Sequence, residues 1–69
     1  MEAHQRLARN LQRIRRAQGL SQEALADRAR VHQTYLSGLE SGKRNPSLTV
    51  LSRLADALDV DVSELLARD

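Results

Sequence analysis

Between Val31 and Gly42 the chain places Gln33, Thr34, Ser37, Gly38 and Ser41 at spacings that return to one side of a helix. With Gln33 set at 0° and about 100° per residue, Ser37 falls at about 40°, Ser41 at about 80°, Thr34 at about 100° and Gly38 at about 140°. These five make one continuous face of short, uncharged hydrogen-bonding groups and a glycine. Tyr35, Leu36, Leu39 and Glu40 fall on the opposite, mostly apolar face. A merely solvated helix face would carry Lys, Glu and Arg. This one carries groups suited to close approach to another polar surface, and the expectation is that it enters the major groove of DNA.

Catalytic and metal chemistry find little support. His4 and His32 are isolated, with no carboxylate or cysteine at ligand spacing, so neither a metal nor a cofactor is expected. Gly42-Lys43 resembles the end of a phosphate loop, but Ser37 holds the upstream glycine position and Arg44 replaces the Ser/Thr that would hold magnesium. No nucleophile, base or cofactor constellation is present, and no enzyme is expected. Tyr35 is the only aromatic, whereas single-stranded RNA recognition usually needs several.

The elements that would position this helix are legible from periodicity and caps. Leu7, Leu11, Ile14 and Gln18 share a stripe, giving an amphipathic helix over about 3–18 that Gly19 ends. Arg6, Arg9, Arg13 and Arg16 share the opposite face, as solvated charges or as phosphate neighbours. Arg15 sits at the edge of the apolar stripe, where a specific partner is expected. Ser21 caps a second helix over about 22–29, with Glu23 near its positive end and Leu25, Ala26 and Ala29 facing inward. Arg30, Val31 and His32 then lead into the third helix, about 33–41. Two short helices joined so tightly are the signature of a helix-turn-helix. After the turn Gly42-Lys43-Arg44-Asn45-Pro46, Ser47 caps a fourth helix over about 48–58, with Leu48, Leu51, Leu54, Ala55 and Leu58 at helical spacing. Asp61 and Glu64 form a capping-box pattern opening a fifth helix over 62–67.

Length and charge agree with a small DNA-binding module. The 69 residues make one domain, 1–69, near the lower size limit for folding without staples. With no cysteine and 41% hydrophobic residues, the core must be aliphatic. Neither a signal peptide nor a membrane span is visible, and the expected location is the cytoplasm, on the nucleoid when DNA is bound. Residues 1–53 carry ten Lys and Arg against four acids, and 54–69 carry one against five, so the net +2 divides into +6 and −4. A basic body suits a polyanion on one side, with a different partner at the acidic end.

The stretches Leu20-Ser21-Gln22-Glu23-Ala24-Leu25-Ala26 and Tyr35-Leu36-Ser37-Gly38-Leu39-Glu40-Ser41-Gly42-Lys43-Arg44-Asn45-Pro46-Ser47 resemble the Xre/Cro-type helix-turn-helix family. The resemblance runs from about Leu7 to Leu66. Within the family, His32 to Ser47 is most similar to the controller proteins of restriction–modification systems, and phage and antitoxin repressors share much of the pattern. The resemblance implies an all-α, five-helix, lambda-repressor-like DNA-binding domain, with the helix-turn-helix at helices two and three, about 21–41. It implies that Gln33 and Thr34 reach base edges, with Ser37 and then Gly38 as candidates next along. It further implies that Gln22 contacts a phosphate and braces the reading helix, that Ser41, Lys43, Arg44 and Asn45 grip the backbone, and that Arg15 pairs with Glu40. Physical chemistry agrees: glutamine can bond adenine bidentately, and threonine offers a hydroxyl and a methyl to thymine.

Two positions depart from the family pattern. Arg30 and Asp59 stand where glycine often lies, and a left-handed backbone there would cost Arg30 roughly 1–2 kcal/mol. The function expected is a sequence-specific double-stranded DNA-binding transcriptional regulator, a homodimer on a pseudo-palindromic operator, with RNA polymerase as a further candidate partner. The segment about 59–67, through Val60, Val62, Leu65 and Leu66, is the expected two-fold interface; closing the core is its alternative role. A protein–protein adaptor on the same fold is the competing function, and it would need a larger apolar groove.

Overall fold

Four of the five helices stop in the same way, and that repeated stop shapes the molecule. In the computed structural model, which describes residues 3–68 of the chain, the helices are α1 (Ala3–Ala17), α2 (Gln22–Ala29), α3 (Gln33–Glu40), α4 (Leu48–Leu58) and α5 (Val62–Leu66). Met1, Glu2 and Asp69, the remaining positions of the expected 1–69 domain and its charge division, lie outside the described residues. After each of the first four helices a residue with positive φ reverses the chain: Gly19 (70°), Arg30 (60°), Gly42 (78°) and Asp59 (56°). The next N–H then reaches back five residues, Leu20 to the Arg15 carbonyl, Val31 to Ala26, Lys43 to Gly38 and Val60 to Ala55, at 2.9–3.1 Å. These are Schellman closures, which satisfy orphan carbonyls at a helix end. Leu20, Val31 and Val60, delivered by these turns, pack against the core.

Arg30 and Asp59 therefore do adopt the conformation glycine favours. Arg30→Gly should stabilise the protein by roughly 0.5–1 kcal/mol, the relieved strain being partly offset by glycine's freedom when unfolded. Chemical denaturation checks this. A lower midpoint would mean that the Arg30 side chain contributes more than its backbone conformation costs.

The helix starts follow the side chains at their caps. Ser21 Oγ accepts from the Ala24 N–H at 3.0 Å and Ser47 Oγ from Val50 at 3.1 Å. Asp61 Oδ1 accepts from Ser63 at 2.8 Å while Glu64 Oε2 accepts from the Asp61 N–H at 3.1 Å, completing a capping box. The bonds from Ser63 hold the Asp61 carboxyl below the usual carboxylate range.

Leu7, Leu11 and Ile14 from α1 meet Leu25, Ala26 and Ala29 from α2, Leu36 and Leu39 from α3, Leu51, Leu54, Ala55 and Leu58 from α4, and Leu65 from α5 in one core. α1 packs on α3 and α5, while α2 packs on α3 and α4. The small residues Ala26 and Ala29 permit that close approach. Leu48 departs from the expected stripe: as the first residue of α4 it overhangs the core and stays 75% exposed. Helix ends also differ slightly from the sequence expectation. α1 closes at Ala17 and α3 at Glu40, where the reversals begin, and α5 closes at Leu66, with Ala67 already extended. Among the described residues no helix is long and apolar enough to cross a membrane.

Candidate nucleic-acid interface

α3 is held from below by a polar network, unusual in so small a core. Arg15 Nε donates to Glu40 Oε2 at 2.7 Å and Arg15 Nη2 to Glu40 Oε1 at 2.9 Å, a bidentate pair between α1 and α3. Arg15 is 8% exposed and Glu40 4%. Arg15 Nη1 also donates to the Leu20 carbonyl at 2.8 Å. The bonds to Glu40 raise the Arg15 pKa beyond its ordinary value, against the opposing effect of burial. Gln22 Nε2 donates to Glu40 Oε1 at 3.1 Å, bringing α2 into the same network. Gln12 Nε2 donates to the Glu40 backbone carbonyl at 2.6 Å. Three helices thus converge on one glutamate at the end of α3, while Leu36 and Leu39 anchor its apolar side in the core.

The opposite side of α3 is open. Gln33, Thr34, Ser37 and Ser41 are exposed. Gln33, Thr34 and Ser37 line, with Gln22, a shallow open depression of about 310 Å³. So the fold brings the three residues expected to read bases together with one expected to touch phosphate, whose amide here braces Glu40. His32 provides no side-chain cap, leaving first-turn N–H groups of α3 to water or an external partner.

The loop expected to grip phosphate is ordered by α3 itself. The Gly38 carbonyl accepts from the Lys43 N–H at 2.9 Å, the Arg44 N–H at 3.2 Å and Ser41 Oγ at 3.1 Å. Lys43, Arg44 and Asn45 are all exposed. The Arg44 guanidinium turns back over the Tyr35 ring, 5.9 Å from its centroid.

Further basic groups lie away from α3. Arg28, Arg30 and Arg53, with Asp56, surround a cleft of about 350 Å³, and Arg53 Nη2 donates to the Arg30 carbonyl at 3.3 Å. On α1, Arg9, Arg13 and Arg16 border a groove with Asn10 and Gln12, while Arg6 Nε donates to the Leu66 carbonyl at 3.0 Å.

The four residues expected at a two-fold interface fall at different depths. Leu65 is fully buried in the core and offers no surface to a partner. Val60 and Val62 are half-buried against that core, and Leu66 is 37% exposed. Of the four, only Val60, Val62 and Leu66 have surface to offer, with Leu65 buried in the core.

Several structural roles went unassigned from sequence. Asn10 is buried and its Nδ2 donates to the Leu65 and Ala67 carbonyls at 3.0 and 2.8 Å, tying α5 to α1. Gln18 Nε2 donates to the Leu58 carbonyl at 2.6 Å. The available signal was positional: Asn10 borders the apolar stripe of α1, and Gln18 lies on it. Among the described residues no group of three or more His, Asp or Glu is placed to hold a metal.

Two helices joined by a three-residue turn, the second braced at Glu40 and open along Gln33, Thr34 and Ser37, define a helix-turn-helix unit. The chain belongs to the helix-turn-helix family HTH_3, whose model matches residues 11–65. It is 42% identical over 66 residues to an uncharacterized HTH-type transcriptional regulator, y4dJ, of Sinorhizobium fredii, covering 96% of this chain and 86% of that protein. It is 40% identical over 68 residues to the control protein C.SmaI of Serratia marcescens, covering 99% and 81%. Among solved structures, the restriction-modification controller protein C.AhdI from Aeromonas hydrophila superposes with a TM-score of 0.87 at 40% identity, covering 90% of this chain and 94% of that one.

Proposed function

We propose that this protein is a DNA-binding transcriptional regulator that acts as a homodimer on a two-fold symmetric operator, in the manner of a restriction–modification controller. The observation that carries the reading is the exposed, uncharged face of α3, braced at Glu40 and flanked directly by the Lys43–Arg44 loop. In this reading Gln33, Thr34 and Ser37 contact base edges. Ser41, Lys43, Arg44 and Asn45 hold the phosphate backbone, and Gln22 does so from the start of α2, where free N–H groups and the helix dipole favour an anion. The similarity to C.SmaI and C.AhdI supports the controller assignment. Action is by binding, in the cytoplasm, and its effect on RNA polymerase follows from where the operator lies relative to the promoter.

The adaptor alternative fits the surface less well. Among the described residues only Leu48 and Leu66 are large exposed hydrophobics, too few for an apolar groove. A two-fold symmetric operator needs two α3 helices about 34–36 Å apart, one turn of DNA, and Val60, Val62 and Leu66 are the surface proposed to pair them. In this reading, occupancy follows protein concentration through dimerisation. Sedimentation that finds only monomer at high concentration, with and without DNA, would reject the dimer.

Reading and gripping separate experimentally. Gln33→Ala should cost about 1–3 kcal/mol at particular base pairs and little at others. Arg44→Ala should weaken binding to all sequences. Titrations against a panel of single-base operator variants check both, and uniform losses in both proteins would contradict the division.

A further inference from the structure

Gly38 lies on the solvent side of α3, and the side chain of Arg44 occupies the space a side chain there would fill. A Cβ built on Gly38 would lie 2.9 Å from Arg44 Cδ, 3.1 Å from Cγ and 3.2 Å from Nε. The Gly38 backbone φ is not in the left-handed region, so the glycine is not required by its own conformation. It lies inside a helix, where alanine is the more stable residue. What the missing side chain provides is a notch. Arg44 leaves the loop, crosses α3 through that notch, and arrives over the Tyr35 ring. The Gly38 carbonyl receives the Lys43 and Arg44 N–H groups and the Ser41 hydroxyl, fixing where the Arg44 side chain starts. Gly38 and Tyr35 thus set both ends of its path.

We propose that Gly38 is a positioning residue for DNA binding: its notch aims the Arg44 guanidinium along the edge of the reading face, so that helix and loop present one pre-ordered surface. This rests on the reading of Arg44 as a backbone contact. An arginine free in solution samples many rotamers, and ordering it on binding lowers affinity. Held across α3 and over Tyr35, it starts closer to its bound path, and less ordering is left to occur when DNA arrives. Alanine at 38 need not disturb the fold, because the atoms it meets belong to a flexible side chain that can swing away.

The test is a double-mutant cycle with Gly38→Ala and Arg44→Ala, read by titration against double-stranded sites selected by the wild type, with thermal melting of each protein. Gly38→Ala should bind roughly five- to tenfold more weakly, as expected for one weakened charge-assisted contact, while melting at or above the wild-type temperature. Its salt dependence should flatten by about 0.9 per protomer. In the Arg44→Ala background the Gly38 substitution should cost nothing further. In the DNA-free protein, the Arg44 side-chain resonances should move away from their ring-shifted positions when Gly38 is replaced. Equal losses in both backgrounds would overturn the proposal, since alanine would then be obstructing DNA directly. So would full affinity in Gly38→Ala when Arg44→Ala binds weakly. Wild-type affinity in Arg44→Ala itself would instead remove the backbone role of Arg44, and this inference with it.

Discussion

Glu40→Ala should destabilise the protein by about 3–5 kcal/mol, the usual effect of stranding one member of a buried ion pair. The arithmetic follows from what Glu40 holds. Its carboxylate receives two bonds from Arg15 and one from Gln22, and Arg15 is 8% exposed. Removing it leaves a guanidinium in the core with only the Leu20 carbonyl as partner. Small domains are stable by about 5–15 kcal/mol in total, so much of the margin goes. The melting temperature should fall by more than about 10 °C. DNA binding should weaken chiefly because less protein is folded and α3 is less firmly held. Replacing both partners with apolar residues, Arg15→Met with Glu40→Leu, should recover most of the loss, because the penalty lies in the unpaired charge. An unchanged melting temperature in Glu40→Ala would show that the pair does not hold α3 in place.

The second large effect is on DNA affinity and comes from salt. Each neutralised phosphate releases counterions, giving a slope of roughly −0.9 in log K against log salt per contact. With Lys43 and Arg44 each meeting a phosphate in both protomers, as proposed, the slope would be about −3.6 for a dimer. Raising salt from about 50 to about 200 mM should then weaken binding roughly a hundredfold. A single protomer with the same contacts would show about half that slope, so the measurement reports stoichiometry as well. Participation by the α1 arginines would make it steeper than the loop alone. A slope near zero would contradict electrostatic gripping altogether.

The fold was legible wherever its cause was local or periodic. Ser21, Ser47 and the Asp61–Glu64 box cap helices through bonds spanning two or three residues, and such patterns stand out along a chain. Leu7, Leu11 and Ile14 place α1 by their repeat. Periodicity gives direction around a helix but not depth, which is why Leu48 lies on the inward stripe yet projects into solvent. Leu65 and Leu66, adjacent in sequence, are buried and exposed respectively because they point about 100° apart around α5, a helix too short to show a repeat. Contacts between distant elements leave weaker marks. The pairing of Arg15 with Glu40 was suggested by family likeness. The parts played by Gln12, Asn10 and Gln18 emerged only when helix ends 28 to 55 residues away were in place. The path of Arg44 across Gly38 had no signature in spacing at all. It depends on a turn that reverses the loop onto the helix it has just left.

In the proposed division, α3 reads sequence while its surroundings supply affinity. Selection of bound sites from a random double-stranded DNA pool, with wild type and Gln33→Ala in parallel, tests it directly. The wild type should enrich two-fold related half-sites about one helical turn apart. Gln33→Ala should lose preference at one base pair in each half-site and keep the others. Recovery of no preferred sequence by the wild type, or an identical preference in Gln33→Ala, would contradict it.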